Sequence, residues 1–97
     1  GGELGPWRRR PPGEAAAAMT AYEHRRAAVH ELQATALPLL EDNERLARRS
    51  YEEGEMGLGD VLLIRRETIE TRRALLDQEH AAALARIDVL FATGALR

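Results

Sequence analysis

The 97-residue sequence has no cysteine, and this absence excludes disulfides, thiolate metal sites and cysteine nucleophiles. It also has no lysine, so its basic side chains are arginines and three histidines. Aromatic residues make up 4% of the chain, although 44% of it is hydrophobic. A composition dominated by Ala, Leu, Glu and Arg is typical of long helices and coiled coils, and it predicts an all-α fold.

Long apolar runs are lacking as well. Arg, Glu or Asp interrupts every segment before it reaches the roughly 18 apolar residues that a membrane-spanning helix needs. Fourteen basic and sixteen acidic residues leave a formal net charge of -2, which gives no support to binding of nucleic acid or of an acidic membrane surface. The sequence shows neither an initiating methionine nor a signal peptide, and we therefore expect a fragment or a chain whose natural start is missing.

Residues 1–13 contain four glycines and three prolines around Trp7, a composition that does not hold a regular element. They are predicted to form a disordered or linker segment. The run Arg8-Arg9-Arg10 is interpreted as a solvated tail, because a basic patch for nucleic acid would want more charge and a scaffold around it.

A first helix is predicted from about residue 14 to residue 53, within a helical unit that covers residues 14–97. The alanines at 15–18 favour helix, and apolar residues then recur at helical spacings. The predicted seam consists of Val29, Leu32, Ala36, Leu39 and Leu46. Pro38 predicts a kink or short break near Leu37. Two acid-first pairs at a spacing of four, Glu41 with Arg45 and Glu44 with Arg48, predict a solvated face.

Three glycines at 54, 57 and 59 predict a left-handed cap and a tight reversal over residues 54–59. Asp60 is predicted as the N-cap of a second helix over about 60–92, on the order of 50 Å long. Gly94 is predicted to close that helix.

Two neighbouring rows of the second helix repeat every seven residues and predict a coiled-coil-like seam. They are Leu62, Ile69, Leu76, Ala83 and Leu90, and beside them Val61, Thr68, Leu75, Ala82 and Val89. A small or polar row, from Ile64 to Ala85, and a charged row, from Arg65 to Arg86, adjoin this seam. The apolar surface is therefore expected to be broad and shallow, with neighbours on two sides. Two helices cannot enclose a large core, so partner helices are expected.

No motif for catalysis, metal or cofactor is recognised, and no enzyme activity and no cofactor are predicted. His24 and His30 fall on different sides of a helix and His80 stands alone, so they are interpreted as exposed histidines. The glycines at 54–59 follow no strand and precede no Lys-Ser/Thr pair, so a turn is favoured over a phosphate loop. The paired arginines are interpreted as solvated helix faces.

Three segments carry a family resemblance: residues 37–43, residues 46–54 and residues 58–62. Their spacing Tyr-x-x-Gly-x-x-x-x-x-Asp-Val-Leu, followed by a long Ala/Leu/Arg helix that ends at 90–96, resembles the carboxy-terminal repeat of the TolC-type outer membrane efflux channels. Residues 54–56 with Arg65-Arg66 look closer to the heavy-metal (CzcC/CusC-like) branch. The resemblance covers about residues 30–97.

The resemblance implies a long antiparallel helical hairpin, coiled-coil-like, that is a fragment of a periplasmic α-barrel. Members of the family are homotrimers whose hairpins pack side by side around a tunnel, continued by a β-barrel in the outer membrane. It further implies a membrane-fusion adaptor and an inner-membrane pump as partners; the net charge, as above, predicts no nucleic-acid partner. The expected location is the periplasmic portion of the outer membrane, with membrane contact only through β-strands that this segment lacks. Substrate choice is expected to reside mainly in the inner-membrane partner.

By the same resemblance, Tyr51 matches the tip tyrosine that bonds across helices in the closed state. Gly54 matches the turn glycine, and Asp60 matches the aspartate at the tunnel entrance. Their structural interpretations are a packed aromatic, a helix C-cap and an N-cap, and for Gly54 the two interpretations coincide. The adaptor-docking turn would consist of Glu55, Met56, Gly57, Leu58 and Gly59.

Two departures from the family pattern bear on the tip. Met56 stands where drug-type members have a basic residue, and Leu63 stands where they have a second entrance aspartate, so closure of the tip is not predicted. The alternative hypothesis is a free-standing coiled-coil hairpin that acts as a protein–protein interaction module, with the turn as a connector.

Overall fold

A computed structural model describes residues 12–95, and in this part of the chain all regular structure is helical. Helix α1 spans Pro12–Glu31, a π-helical segment spans Leu32–Ala36, helix α2 spans Leu37–Glu52 and helix α3 spans Leu58–Ala92. The predicted all-α class is confirmed. No helix within residues 12–95 is both long enough and apolar enough to cross a membrane.

The start of α1 corrects the predicted boundary after residue 13. Pro12 and Gly13 are already helical. Proline suits the first position of a helix, because its fixed φ is helical and its missing N–H would have had no partner there. The rest of the predicted linker, residues 1–11 with Trp7 and the three arginines, lies outside the described residues.

The predicted break at Pro38 takes the form of a π-helical segment one turn earlier. Proline cannot donate to the carbonyl four residues before it, and its ring crowds that carbonyl. The wider π turn over Leu32–Ala36 accommodates this defect. Ala36 and Leu37 keep ordinary helical angles, with φ of -66° and -65°, so the chain continues into α2 without interruption.

The π-helical segment inserts one extra residue into the heptad pattern and changes which residues face α3. The predicted seam residues Leu39 and Leu46 are 59% and 62% exposed, so that part of the prediction is wrong. Their neighbours take their place, because Leu40 is half-buried and Ala47 is 3% exposed. One residue is about 100° of helix rotation, which is enough to exchange an inward row for an outward one.

Helix α3 packs against both α1 and α2. The Arg72 guanidinium donates to the Glu41 carboxylate at 3.0 Å, 31 residues away in sequence. The Thr68 hydroxyl, fully buried, donates to the carbonyl oxygen of Ile64 at 3.2 Å and lies 3.5 Å from that of Leu40. Within the described residues, the buried ones are few and spread along the helices: Ala18, Ala47, Thr68 and Leu75.

Of the two apolar rows predicted on α3, one faces the preceding helices and the other faces outward. Thr68 and Leu75 are buried and the rest of their row is half-buried, as is the small or polar row from Ile64 to Ala85. In the other row, Leu62, Ile69 and Leu76 are 53%, 44% and 66% exposed. Their placement in the seam is therefore wrong for this chain by itself.

Two acidic residues of α2, Glu41 and Glu44, are less solvated than the spacing-of-four pattern predicted. Glu41 reaches across to Arg72 on α3 rather than to Arg45, whose guanidinium pairs with Asp42. Glu44 is half-buried, and its Oε1 has no hydrogen-bond partner among the described residues. The side of α2 predicted to be solvated thus includes residues that help to position α3.

Candidate functional site

The end of α2 is closed by Gly54, as predicted. Gly54 has φ 76°, in the left-handed region where a side chain is strained. Its N–H donates to the Tyr51 carbonyl at 3.0 Å, and the N–H of Glu55 donates to the Ser50 carbonyl at 2.8 Å. This pair of bonds is the Schellman motif, which satisfies carbonyls that the end of a helix leaves free. The chain therefore leaves α2 in a fixed direction.

The same motif ends α3, where Gly94 has φ 78° and its N–H donates to the Phe91 carbonyl at 3.1 Å. The N–H of Ala95 donates to the Leu90 carbonyl at 2.8 Å. The predicted cap at Gly94 is confirmed.

The start of α3 corrects the prediction for Asp60. The N-cap is Gly57, with extended backbone angles of φ -75° and ψ 154°, and its carbonyl accepts from the N–H of Val61 at 3.3 Å. The helix begins at Leu58, so the reversal covers residues 53–57 instead of 54–59. Asp60 lies in the first turn and is exposed, and its side chain makes no capping hydrogen bond. A carboxylate here is still favourable, because it stands near the positive end of the helix dipole.

Replacing Gly54 or Gly59 by alanine is expected to change the free energy of unfolding by very different amounts. Gly54→Ala forces a side chain into the left-handed region, and we expect it to lower the free energy of unfolding by about 1–2 kcal/mol. Gly59 lies inside α3, and a Cβ added to it would meet no atom within 4 Å. Gly59→Ala should therefore be neutral or stabilising by up to about 1 kcal/mol. Urea unfolding followed by circular dichroism measures both, and equal effects would contradict the assigned turn geometry.

The remaining residues predicted for the tip lie together at this end of the molecule. Tyr51 and Leu58 are 43% and 52% exposed, and Glu55, Gly57 and Gly59 are exposed as well. Met56 is half-buried and lines a groove between α2 and α3. The groove is also lined by Leu40, Asn43, Leu46, Ala47, Ser50, Ile64 and Glu67. The end of the molecule thus presents an aromatic, an aliphatic and a thioether side chain around a rigid turn.

This arrangement offers binding surface, and the described residues present no cluster suited to metal binding. Among residues 12–95, no group of three or more His, Asp or Glu side chains is placed to hold a metal ion. His24, His30 and His80 are exposed, each on a different part of the helices. The cross-helix hydrogen bond that the resemblance implies for Tyr51, and the entrance role that it implies for Asp60, stay predictions.

Two polar residues of the seam were not singled out from the sequence as important. Glu44 and Gln78 each have a buried side-chain oxygen, Oε1, with no hydrogen-bond partner within the described part of the chain. Buried polar atoms without partners cost free energy, and polar residues at seam positions of a coiled coil specify its register at a cost in stability. The sequence did contain a signal for Gln78, because it is a polar residue at a heptad position between the apolar residues Leu75 and Ala82.

No family model, no curated protein and no solved structure matches this chain.

Proposed function

We propose that the chain forms a helical hairpin in the periplasmic tunnel wall of a trimeric outer membrane efflux channel, with its turn as the adaptor-docking tip. Its role in transport is structural, without catalysis. One observation carries the proposal: large apolar side chains are exposed along both outward sides of the packed helices. This is the surface expected of a wall segment taken without the helices that would flank it.

The exposed apolar side chains are too regular to be scattered surface residues. Leu62, Ile69 and Leu76 form one line on α3, each between 44% and 66% exposed. On the other side Leu63, Leu84 and Phe91 of α3 are each 55% exposed, and Leu39 and Leu46 of α2 are 59% and 62% exposed. Extended apolar surface of this kind marks an interaction site. A hairpin in a barrel wall needs such surface on both sides.

The thin interior points the same way. Between residues 12 and 95 the buried apolar residues are Ala18, Ala47 and Leu75, two of them alanines. At about 25 cal/mol per Å² of apolar surface, so small an interior stabilises two long helices only weakly. Packing against further helices would supply the missing burial, which fits a member of a larger helical assembly.

The turn supports the second part of the proposal, that this end meets a periplasmic adaptor. It combines a backbone fixed by the Gly54 cap with exposed Tyr51 and Leu58. Rigid elements that present aromatic and aliphatic side chains suit protein docking. The efflux substrate would pass through the assembled tunnel, and the inner-membrane pump would supply it.

The alternative is a free-standing coiled-coil hairpin that binds another protein. The cross-helix contacts Arg72–Glu41 and Thr68–Leu40 favour it, because they couple the helices without any partner chain. Such a module would use the same apolar sides for a different neighbour.

Cell fractionation separates the two functions. An antibody raised against residues 12–95 is used on cells that produce the intact natural protein. The channel proposal predicts that the antigen co-sediments with the outer membrane and migrates as a trimer after cross-linking. Antigen confined to the cytosol would refute the channel and favour the free-standing module.

A further inference from the structure

The two long sides of the packed helices carry opposite charge. The inward residues of α3, such as Thr68 and Leu75, occupy the seam positions of a heptad, and the inward residues of α1 and α2 do so on each side of the π-helical segment. Every described position outside the seam then falls on one of two flanks or on the back of its helix. Basic side chains gather on one flank and acidic side chains on the other.

The basic flank is defined by six arginines and by the apolar line between them. The arginines are Arg26, Arg45, Arg48, Arg65, Arg72 and Arg86. The apolar line is Leu62, Ile69 and Leu76. Arg26 and Arg86 line one groove of this flank together with Glu79. Leu62 and Ile69 line another groove with Arg65, and this groove extends over the back of α3 to Arg66, Arg73 and Glu70. Four glutamates, Glu23, Glu41, Glu52 and Glu79, occupy positions on the same flank and partly offset its six arginines, and Glu41 pairs with Arg72 at 3.0 Å.

The acidic flank lies on the opposite side of the seam. Its carboxylates are Glu31, Glu53, Glu67, Glu70 and Asp77, and its exposed apolar residues are Leu39, Leu46, Leu63, Leu84 and Phe91. No arginine of residues 12–95 occupies a position on this flank, but two reach it from the backs of their helices: Arg49 pairs with Glu53 at 3.7 Å and Arg66 with Glu70 at 3.0 Å. Glu67 lines its groove with Leu46 and Ser50. Small residues such as Ser50 and Ala81 leave room for a helix to approach closely.

We propose that the basic flank docks on the acidic flank of a second copy of this chain, side by side. The apolar line of one copy would then meet the exposed leucines of the next, with arginines opposite carboxylates at the edges. Like flanks cannot pair in this way, because two basic or two acidic flanks would repel each other. The contact is therefore heterologous, and its repetition produces a ring or a continuous wall.

This inference rests on the proposed function only in taking lateral packing as the role of the two sides. It adds to that function the identity of the mating surfaces and the charge rule that selects them. The pairing of the two flanks applies equally to a free-standing module. Fractionation could therefore refute the channel while self-association supports the pairing, and the reverse could also occur.

Charge reversal on each flank tests the proposal with two variants that are each other's controls. The first is Arg65→Glu with Arg86→Glu, and the second is Glu67→Arg with Asp77→Arg. All four residues are exposed, and none of them belongs to the cross-helix pair Arg72–Glu41. Helix content by circular dichroism, in the presence of a stabilising osmolyte, verifies that both variants fold like the unaltered chain.

Sedimentation velocity then measures self-association at low salt. The unaltered chain is expected to associate, and each variant alone should associate at least about tenfold more weakly, since one of its interfaces becomes repulsive. An equimolar mixture of the two should regain association, because the glutamates introduced on the basic flank of one variant can then face the arginines introduced on the acidic flank of the other. Added salt should weaken both the unaltered chain and the mixture. The proposal is overturned if the unaltered chain stays monomeric, if either variant associates as strongly as the unaltered chain, or if the mixture associates no better than its components.

Discussion

Leu75→Ala is expected to lower the free energy of unfolding by about 2–3 kcal/mol, whereas Leu76→Ala should change it by less than about 0.5 kcal/mol. The two leucines are neighbours with the same chemistry. Leu75 packs against the preceding helices and is 9% exposed, whereas Leu76 lies on the outward line of α3 and is 66% exposed. Removing buried methyl groups loses transfer free energy and leaves a cavity, and neither cost arises at an exposed position.

The measurement is urea unfolding followed by circular dichroism, at a protein concentration low enough to prevent association and with an osmolyte that keeps the single chain folded. Raising the concentration supplies a second test. The effect of Leu76→Ala should grow once chains associate and bury the outward line, while the effect of Leu75→Ala should already be present in the single chain. Equal effects of the two changes at low concentration would contradict the assigned facing of α3.

Ala47→Glu is expected to destabilise the fold by about 3 kcal/mol, and Leu46→Glu should leave it nearly unchanged. Ala47 is 3% exposed and faces α3, so a glutamate there places an unpaired charge and extra volume in the contact. Leu46 is 62% exposed, and a glutamate there stays in water. The pair tests the one-residue shift that the π-helical segment introduces.

The two variants are compared by the midpoint of thermal unfolding and by helix content under the same stabilising conditions. A heptad that continued unchanged through Pro38 would place Leu46 in the seam. In that case the glutamate at 46 would be the damaging one, and the π-helical segment would have no effect on packing.

Much of the fold was accessible from the sequence because it depends on local chemistry. Helix composition predicted the class, and Gly54 and Gly94 were predicted as caps because each ends a periodic segment with the residue that tolerates positive φ. Asp60 was misplaced because it is the first strong N-cap type after the glycines. Glycine also serves as an N-cap, and Gly57 does so here three residues earlier.

The facing of the helices was harder to predict, because two adjacent apolar rows compete for one seam. On α2 the choice depends on the extra residue of the π-helical segment. Neither the helical period nor the heptad period predicts such an insertion. On α3 both apolar rows repeat every seven residues, and the sequence does not say whether the Leu62 line or the Thr68 line meets the preceding helices. The contact between Thr68 and Leu40, 28 residues apart, resolves the choice in the folded chain.

The sequence predicted where the candidate site lies, but not which interactions its side chains make. The glycine cluster located the turn, and its residues lie together at one end of the structure. The roles that the family resemblance implies for Tyr51 and Asp60 would involve further helices, so they stay predictions. The charge separation between the flanks required knowing which rows face inward, so it emerged only with the structure.

The central claim is that this pair of helices needs neighbours on both sides. A series of sedimentation velocity and circular dichroism measurements, from low to high micromolar concentration in buffer without osmolyte, tests it most directly. We predict a partly helical chain at the lowest concentration and a rise in helix content that parallels assembly into larger species. A stable, fully helical monomer across the whole series would contradict the claim.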